Sequence, residues 1–203
     1  MKKKFMIMFL AILALNALSA SAEVQFGAKV GIDLTNFLGT QTPHGMKLGY
    51  QAGLMLENKF ETSNFGFAPE IVFAAQGGRF AGCNFLPFNM PEDKKATFHT
   101  NYINFAFIFK YYFTPTFTLD FGPQVGVNVY SKFNFDHEEA VNVMDDTQVI
   151  EVGIGLGCTY NITHNAFVQT RYTMGITKAF NDVVMGIDDV KNGNIQLAFG
   201  MKF

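Results

Sequence analysis

Five charged residues have the types and the spacing that buried ion pairs need. Lys110 and Asp120 lie at equal distances from a short turn, so a hairpin would place them directly opposite each other. Glu70, Glu151 and Arg171 occupy the polar positions of other alternating segments, and Arg171 is long enough to reach either carboxylate. The polar positions also carry Lys29, Lys47, Lys59, Lys202, Asp33 and Glu57. Because an isolated buried charge is costly, these eleven groups should pair. The favoured interpretation is a closed polar plug; a gated or selective pore is the alternative.

Two connecting segments could bind a ligand. The segment 132–146 gathers carboxylates around His137, and oxygen ligands can hold a divalent cation, but no EF-hand spacing is present and a solvated loop is favoured. The segment 77–98 carries Phe80, Phe85, Leu86, Phe88 and Met90, which form either a binding surface or a contact with the rim of the fold. We predict no catalytic, cofactor or metal site, and we expect no bond between Cys83 and Cys158.

The composition is unusual for a soluble protein. The 203 residues include 24 Phe and 19 Gly, and 49% are hydrophobic whereas only 16% are charged. The formal net charge of −2 gives no electrostatic footprint for nucleic acid. Such a chain is expected to carry bulky apolar side chains on one face of its fold and very small residues on the other face.

The N-terminal segment 1–22 is typical of a secretory signal. A run of lysines precedes the apolar stretch 5–15, and the small residues 20–22 fit a signal peptidase site. We expect cleavage between Ala22 and Glu23, which leaves a single domain at 23–203. A transmembrane anchor is disfavoured because the apolar stretch is shorter than the roughly 20 residues that span a bilayer.

Apolar and polar residues alternate with period two in eight segments of the exported chain. These segments are Val24–Asp33, Lys47–Phe60, Phe65–Gln76, His99–Phe113, Phe117–Ser131, Thr147–Tyr160, Ala166–Thr177 and Asn194–Phe203. Only a helix or a closed barrel satisfies every backbone group in lipid, and no segment is apolar enough for a membrane helix. The sequence therefore predicts an eight-stranded antiparallel up-and-down transmembrane β-barrel. In its predicted register Arg171 would lie opposite Gly155.

The distribution of charge and bulk indicates which face meets lipid. No charged residue falls on the apolar face, as lipid exposure requires. A soluble barrel of lipocalin type would turn this face inward. An eight-stranded barrel is too narrow for so many phenylalanines, whereas the glycines, which are concentrated on the polar face, fit its interior.

Short and long connections alternate along the chain. The short turns are 61–64, 114–116 and 161–165, and the long segments are 34–46, 77–98, 132–146 and 178–193. Outer-membrane barrels have short periplasmic turns and long extracellular loops. We therefore expect both termini to lie in the periplasm of a cell with an outer membrane.

Several stretches resemble the PorT-like outer-membrane β-barrel family of Gram-negative bacteria. They are FAPEIVFAAQGG, YINFAFIFKYYF, FGPQVGVNV, FVQTRYTMGITKAF and the terminal NIQLAFGMKF. The chain departs from the family at Ala106, where a proline is common. The resemblance covers essentially all of residues 23–203 and implies the fold and the outer-membrane location, but little about activity.

The last strand ends in an alternating apolar row of Phe199, Met201 and Phe203. A terminal aromatic residue after an alternating strand resembles the recognition signal for the barrel-assembly machinery. The alternative is a lipid-facing last strand with no special role, and the two interpretations are compatible.

One pair of residues suggests a remote enzymatic alternative. The register that pairs Lys110 with Asp120 would also make His99 and Ser131 neighbours at the outer rim, both facing lipid. A serine beside a base can act as a nucleophile, so this pair could deacylate a lipid. No oxyanion hole is identifiable, and two polar residues at a membrane interface have a simpler explanation.

The sequence as a whole indicates an integral outer-membrane barrel with a structural or surface-interaction role, no cofactor and no enzymatic activity. The expected partners are outer-membrane lipid and lipopolysaccharide, the barrel-assembly machinery, and a possible extracellular ligand of the long loops, but no nucleic acid. The alternatives are a narrow, porin-like passage for small solutes and the lipid hydrolase.

Overall fold

The computed structural model describes residues 24–38, 44–81, 84–85, 88–89, 95–135, 141–142, 148–177 and 191–203. The predicted signal segment with its cleavage site between Ala22 and Glu23 lies outside these residues. So do Cys83, Leu86 and Met90, and the acidic residues of 136–140 and 143–147.

Eight long strands form the fold within the described residues. They are β1 (Val24–Leu38), β2 (Lys47–Lys59), β3 (Phe65–Ala81), β4 (Lys95–Tyr112), β5 (Phe117–Phe135), β6 (Ile150–Asn161), β7 (Ala166–Gly175) and β8 (Lys191–Lys202). Each strand pairs antiparallel with the next one along the chain. β8 also pairs with β1, from Gly27 opposite Lys202 to Leu38 opposite Lys191, and this pairing closes the sheet. The predicted eight-stranded antiparallel barrel is confirmed.

Shorter pairings surround the barrel strands. His44–Gly45 pairs with β3, Val141–Asn142 pairs with β5, and Asn84–Phe85 pairs with Phe88–Asn89. In the described part of the chain, no helix has the length and apolar character needed to cross a membrane.

The burial pattern is the inverse of that of a soluble protein. Large apolar side chains of the strands point outward, such as Leu54 at 67% exposure and Val30 at 61%. The interior contains charged and amide side chains, including Lys110, Asp120 and Arg171, at 3% exposure or less. Burial of apolar surface drives folding in water, so this arrangement is favourable only where lipid covers the outside.

Tight turns close three hairpins at one end of the barrel. Phe60 donates its N–H to the carbonyl of Phe65 at 3.0 Å, and Phe113 donates to Phe117 at 3.1 Å. Ile162 donates to Ala166 at 2.8 Å. We call this end of the barrel the turn end and the opposite end the loop end.

Several strands extend further toward the loop end than the alternation predicted. The first was predicted to stop at Asp33 and continues to Leu38, and the third and fifth run five and four residues further, to Ala81 and Phe135. The β3–β4 ladder continues to Ala81 opposite Lys95. Backbone pairing does not need an apolar face, so it persists above the level where lipid imposes alternation.

A β-bulge interrupts the pairing of β4 with β5. Asn101 lies opposite Tyr130 but Tyr102 lies opposite Asn128, so Val129 is an extra residue in β5. Val129 and Tyr130 are both exposed, at 44% and 43%. A bulge reverses the side-chain parity beyond it, and Tyr130 and Ser131 therefore face the opposite way from the prediction.

The end of β8 generates a prediction about assembly. Phe203 is 72% exposed, and its N–H donates to the carbonyl of Phe26 at 2.8 Å beside the closing seam. We expect deletion of Phe203 to reduce the amount of folded barrel in the membrane, measured as the shifted band on an unheated gel. Phe113→Ala is the matched control, because Phe113 is 59% exposed at the same end of the barrel but is internal in the chain. Wild-type amounts of folded protein after the deletion would show that the terminal residue is dispensable.

Candidate functional site

The lumen contains a buried ion-pair cluster centred on Glu70 of β3. The Arg171 guanidinium from β7 bonds both carboxylate oxygens, with Nη1–Oε2 at 2.7 Å and Nη2–Oε1 at 2.8 Å. Lys29 from β1 donates to Oε2 at 2.6 Å. All three side chains are at most 2% exposed. This two-pronged geometry is the strongest form of arginine–carboxylate pairing.

Asp120 of β5 extends this cluster across the lumen. Its carboxylate accepts hydrogen bonds from Thr118 at 2.9 Å and from Thr159 of β6 at 2.6 Å. Gln169 donates to the same carboxylate at 3.0 Å and accepts a bond from Lys29 at 2.7 Å. Gln169 therefore joins the Asp120 site to the Glu70 site, while Arg171 Nη2 lies 4.0 Å from Asp120 Oδ2. We call these residues the Glu70 cluster.

A second group, the Glu57 cluster, occupies the lumen nearer the turn end. Glu57 of β2 accepts bonds from Lys110 of β4 and Lys202 of β8, both at 2.6 Å, and from the Tyr112 hydroxyl at 2.9 Å. Lys110 does lie opposite Asp120 in the register, as predicted. Its ammonium group nevertheless bonds Glu57, and Asp120 instead accepts from hydroxyl and amide donors.

One aromatic side chain lies within this charged interior. Phe167 is fully buried, and its ring centroid is 6.0 Å from Lys110 Nζ and 5.7 Å from Lys202 Nζ, which permits cation–π attraction. Gly200 is its cross-strand partner. A Cβ on Gly200 would lie 2.2 Å from the Phe167 ring, so this glycine provides the space for the phenylalanine.

Glu151 does not belong to either cluster. Its carboxylate accepts a short hydrogen bond from Asn192. Arg171 bonds Glu70, the other of the two carboxylates that it was predicted to reach. The predicted position of Arg171 opposite Gly155 is wrong, because the turn between β6 and β7 is centred one residue later than assumed and Arg171 pairs with Gly157.

Lys59, at the turn end of β2, lies opposite Gly66, which lies opposite the luminal Lys110, so it belongs to the luminal face as predicted. Its side chain is exposed at the mouth of the lumen, where its ammonium group lies 4.9 Å from the Tyr112 ring centroid. At the other end of the lumen, Gln51 donates to Asp33 at 2.8 Å.

The predicted serine–histidine neighbours are separated by the bulge. His99 lies opposite Lys132, and Ser131 lies opposite Thr100. Ser131 is fully buried on the luminal side, with its hydroxyl oxygen 3.2 Å from that of Thr100. The pairing of His99 with Ser131 on the lipid face is therefore wrong, since the extra residue Val129 turns Ser131 inward.

No metal-binding group is present among the described side chains, where no three His, Cys, Asp or Glu residues come together. The acidic residues around His137 lie outside the described part. Cys158 is a free, partly buried thiol, whereas Cys83 falls between the described ranges.

Sequence reasoning placed Glu57, Lys29 and Lys202 among the luminal charges that should pair but did not identify their partners. Their partners come from strands that are not neighbours in the sheet, and alternation carries no information about contacts across the lumen. Phe167 had a detectable signal, because it shares the parity of Arg171 in β7 and lies opposite a glycine.

Comparison with known proteins agrees with this architecture. A family model described as "Outer membrane protein beta-barrel domain" matches residues 16–181. Neisserial surface protein A (NspA) is similar over 88% of this chain and 97% of its own, with 14% sequence identity and a TM-score of 0.55. Ail, the attachment invasion locus protein of Yersinia pestis, is similar over 89% of this chain and 99% of its own, with 14% identity and a TM-score of 0.50. At this identity both similarities concern the fold. No curated protein matches the sequence.

The Glu70 cluster generates a prediction about stability. Glu70→Gln leaves Lys29 and Arg171 as buried cations without their carboxylate, so we expect a loss of about 3–5 kcal/mol in the free energy of unfolding. Urea unfolding followed by far-UV circular dichroism measures it, because the chain has no Trp. Glu61→Gln, an exposed turn residue, is the control and should change stability by less than about 0.5 kcal/mol. Equal stability of the two variants would show that the cluster is not energetically coupled to folding.

Proposed function

Because the chain belongs to the outer membrane protein beta-barrel domain family, we propose that it acts as a structural or surface-interaction barrel with a closed lumen. It is an integral β-barrel protein of the outer membrane. The proposal concerns what the barrel does there: it serves as a rigid, non-conducting support for its long loops and not as a passage.

The filled lumen is the observation that carries this proposal. The Glu70 cluster and the Glu57 cluster together draw side chains from all eight strands, and most of these side chains are at most 5% exposed. Ion pairs at 2.6–2.7 Å leave no room for a hydrated ion between the partners. An eight-stranded barrel has an interior that side chains just fill.

A surface-interaction role is supported by one structural relative. The Ail structure is a complex with the heparin analogue sucrose octasulfate, a polyanion. We propose that the loop end of this barrel likewise takes part in contacts outside the cell. The resemblance to the PorT-like family is the narrower family assignment that we propose, without a secretion role.

We further propose that the turn end faces the periplasm, that both termini lie there, and that the barrel-assembly machinery recognises Phe199, Met201 and Phe203. These three side chains are 47–72% exposed at the end of β8, where an assembly factor could contact them. Short turns at the periplasmic side are the general pattern of such barrels.

We propose no enzymatic activity. The one nucleophile–base pair that the sequence suggested is split between the two faces of the barrel wall, with Ser131 inside. The narrow channel remains the second candidate function, because the polar lumen runs through the barrel, and conductance distinguishes the two candidates.

Conductance in planar bilayers tests the closed lumen. We expect the wild-type barrel to show no discrete channel events. Replacing Glu70 and Arg171 together by Ala removes both ends of the two-pronged pair and leaves Lys29 with Gln169 as its hydrogen-bond partner. This double variant should produce small, ion-conducting openings. Stable single-channel currents from the wild-type protein at neutral pH would overturn the closed-lumen proposal and favour the channel.

Cysteine labelling on intact cells tests the orientation. In a background of Cys83→Ser and Cys158→Ser, a cysteine at Thr42 or at Asn181 in the long segments should react with a membrane-impermeant maleimide. A cysteine at Ser63 or His164 in the short turns should react only after lysis. Labelling of the turn positions on intact cells would show the reverse orientation.

A further inference from the structure

A groove of about 430 Å³ lies on the outside of the barrel wall at the loop end of β2 to β5. Its lower level is a row of four cross-strand neighbours: Tyr50 opposite Ala75, Ala75 opposite Asn101, and Asn101 opposite Tyr130. Tyr50 is 60% exposed and Tyr130 is 43% exposed, whereas Ala75 is a small residue at 9%. Two outward tyrosines therefore border a shallow, mostly apolar floor.

Basic side chains line the upper level of the same groove. His99 lies opposite Lys132, and both line the groove together with Lys47. Lys47 and Lys132 are close enough to act electrostatically on His99, and Arg79 acts on Lys47. Among the described residues no carboxylate forms an ion pair with Lys47, His99 or Lys132, unlike the basic groups of the Glu70 and Glu57 clusters.

Gly77 of β3 forms the centre of this upper level, opposite His99. Its φ of 141° is a conformation that L residues rarely adopt, and a Cβ there would lie 2.0 Å from the Phe98 carbonyl oxygen. The glycine therefore allows the backbones of β3 and β4 to approach each other closely at this point. Lys47 reaches this point and donates to the Gln76 carbonyl at 2.7 Å.

The position of His99 and Lys132 along the membrane normal places them just beyond the hydrocarbon core of the membrane. Tyr111 and His99 of β4 are twelve residues apart, which is about 40 Å of strand, or about 30 Å along the membrane normal at the usual tilt of transmembrane barrels. The apolar band of such barrels is about 25 Å tall. With Tyr111 near the turn-end edge of this band, His99 and Lys132 lie at the level of the lipid headgroups, and the tyrosines lie just below them.

We propose that this groove is a binding site for a phosphorylated lipid of the outer leaflet, namely the lipid A part of lipopolysaccharide. A phosphate fits between Lys47, His99 and Lys132, and an acyl chain fits along the floor at Ala75 between the two tyrosines. A basic cluster beside an exposed apolar floor complements a ligand with both an anionic head and an apolar tail. The inference rests on the proposed orientation, since the outer leaflet lies at the loop end.

Native mass spectrometry of the folded barrel in neutral detergent tests this site with purified diphosphoryl lipid A as the probe. We expect the wild type to retain the lipid and to retain its dephosphorylated counterpart at least roughly tenfold less well. The double variant His99→Gln with Lys132→Gln should bind diphosphoryl lipid A roughly tenfold more weakly, because a lysine cation and an imidazole that can bond a phosphate are lost at headgroup level. Lys59→Gln, an exposed lysine at the turn end, is the matched control and should bind as the wild type does.

A second variant distinguishes a groove from a diffuse basic surface. Ala75→Phe keeps every charge of the protein but fills the floor of the groove, so it should also weaken lipid binding. In a separate competition, millimolar inorganic phosphate should leave the lipid bound to the wild-type protein. The unheated gel shift verifies that each variant is folded. Equal binding of phosphorylated and dephosphorylated lipid, equal loss in the Lys59 control, or displacement by inorganic phosphate would overturn the proposal. A detergent micelle has no inner and outer leaflet, so these outcomes do not depend on the orientation that cysteine labelling tests.

Discussion

The hydrocarbon interior of a membrane offers no hydrogen-bond partner to a backbone N–H or C=O, and the rest of this structure depends on that constraint. A sheet meets it only by closing, as β8 does on β1. Closure places alternate side chains outside and inside. Contact with lipid requires the outer side chains to be apolar, and the narrow lumen limits the size of the inner side chains. The large exposed side chains and the buried charges are two consequences of the same closed ladder.

The narrow lumen then determines how its charges are arranged. The Glu57 cluster joins three even-numbered strands through Glu57 of β2, Lys110 of β4 and Lys202 of β8. The Glu70 cluster joins β1, β3, β5 and β7, with Thr159 adding β6. Backbone pairing connects only adjacent strands, whereas these side chains connect opposite walls. The two clusters therefore link opposite walls of the barrel and also fill its lumen.

Alternation in the sequence was sufficient to predict the number of strands and most of their inner and outer faces, because lipid imposes a period of two. It also gave the correct Lys110–Asp120 register, since the turn between those strands is tight. It failed at Arg171, where the turn is centred one residue later than assumed and the register shifts by two residues. It gave Glu70 as one of two possible partners of Arg171, but it could not reveal the remaining partners in the Glu57 and Glu70 clusters, which meet only in three dimensions.

The bulge at Val129 connects the largest failure of the sequence prediction to the groove on the outer wall. In a regular ladder Ser131 would face lipid, and Tyr130 and Lys132 would face the lumen. The extra residue reverses this parity, so Tyr130 joins the exposed wall and Ser131 becomes buried opposite Thr100. On the neighbouring pair of strands, Gly77 has a positive φ and allows β3 and β4 to approach closely at the same height. Two local irregularities of the backbone, both above the level where lipid enforces alternation, thus bring Lys132 beside His99 and give the outer rim a chemistry that the regular barrel lacks.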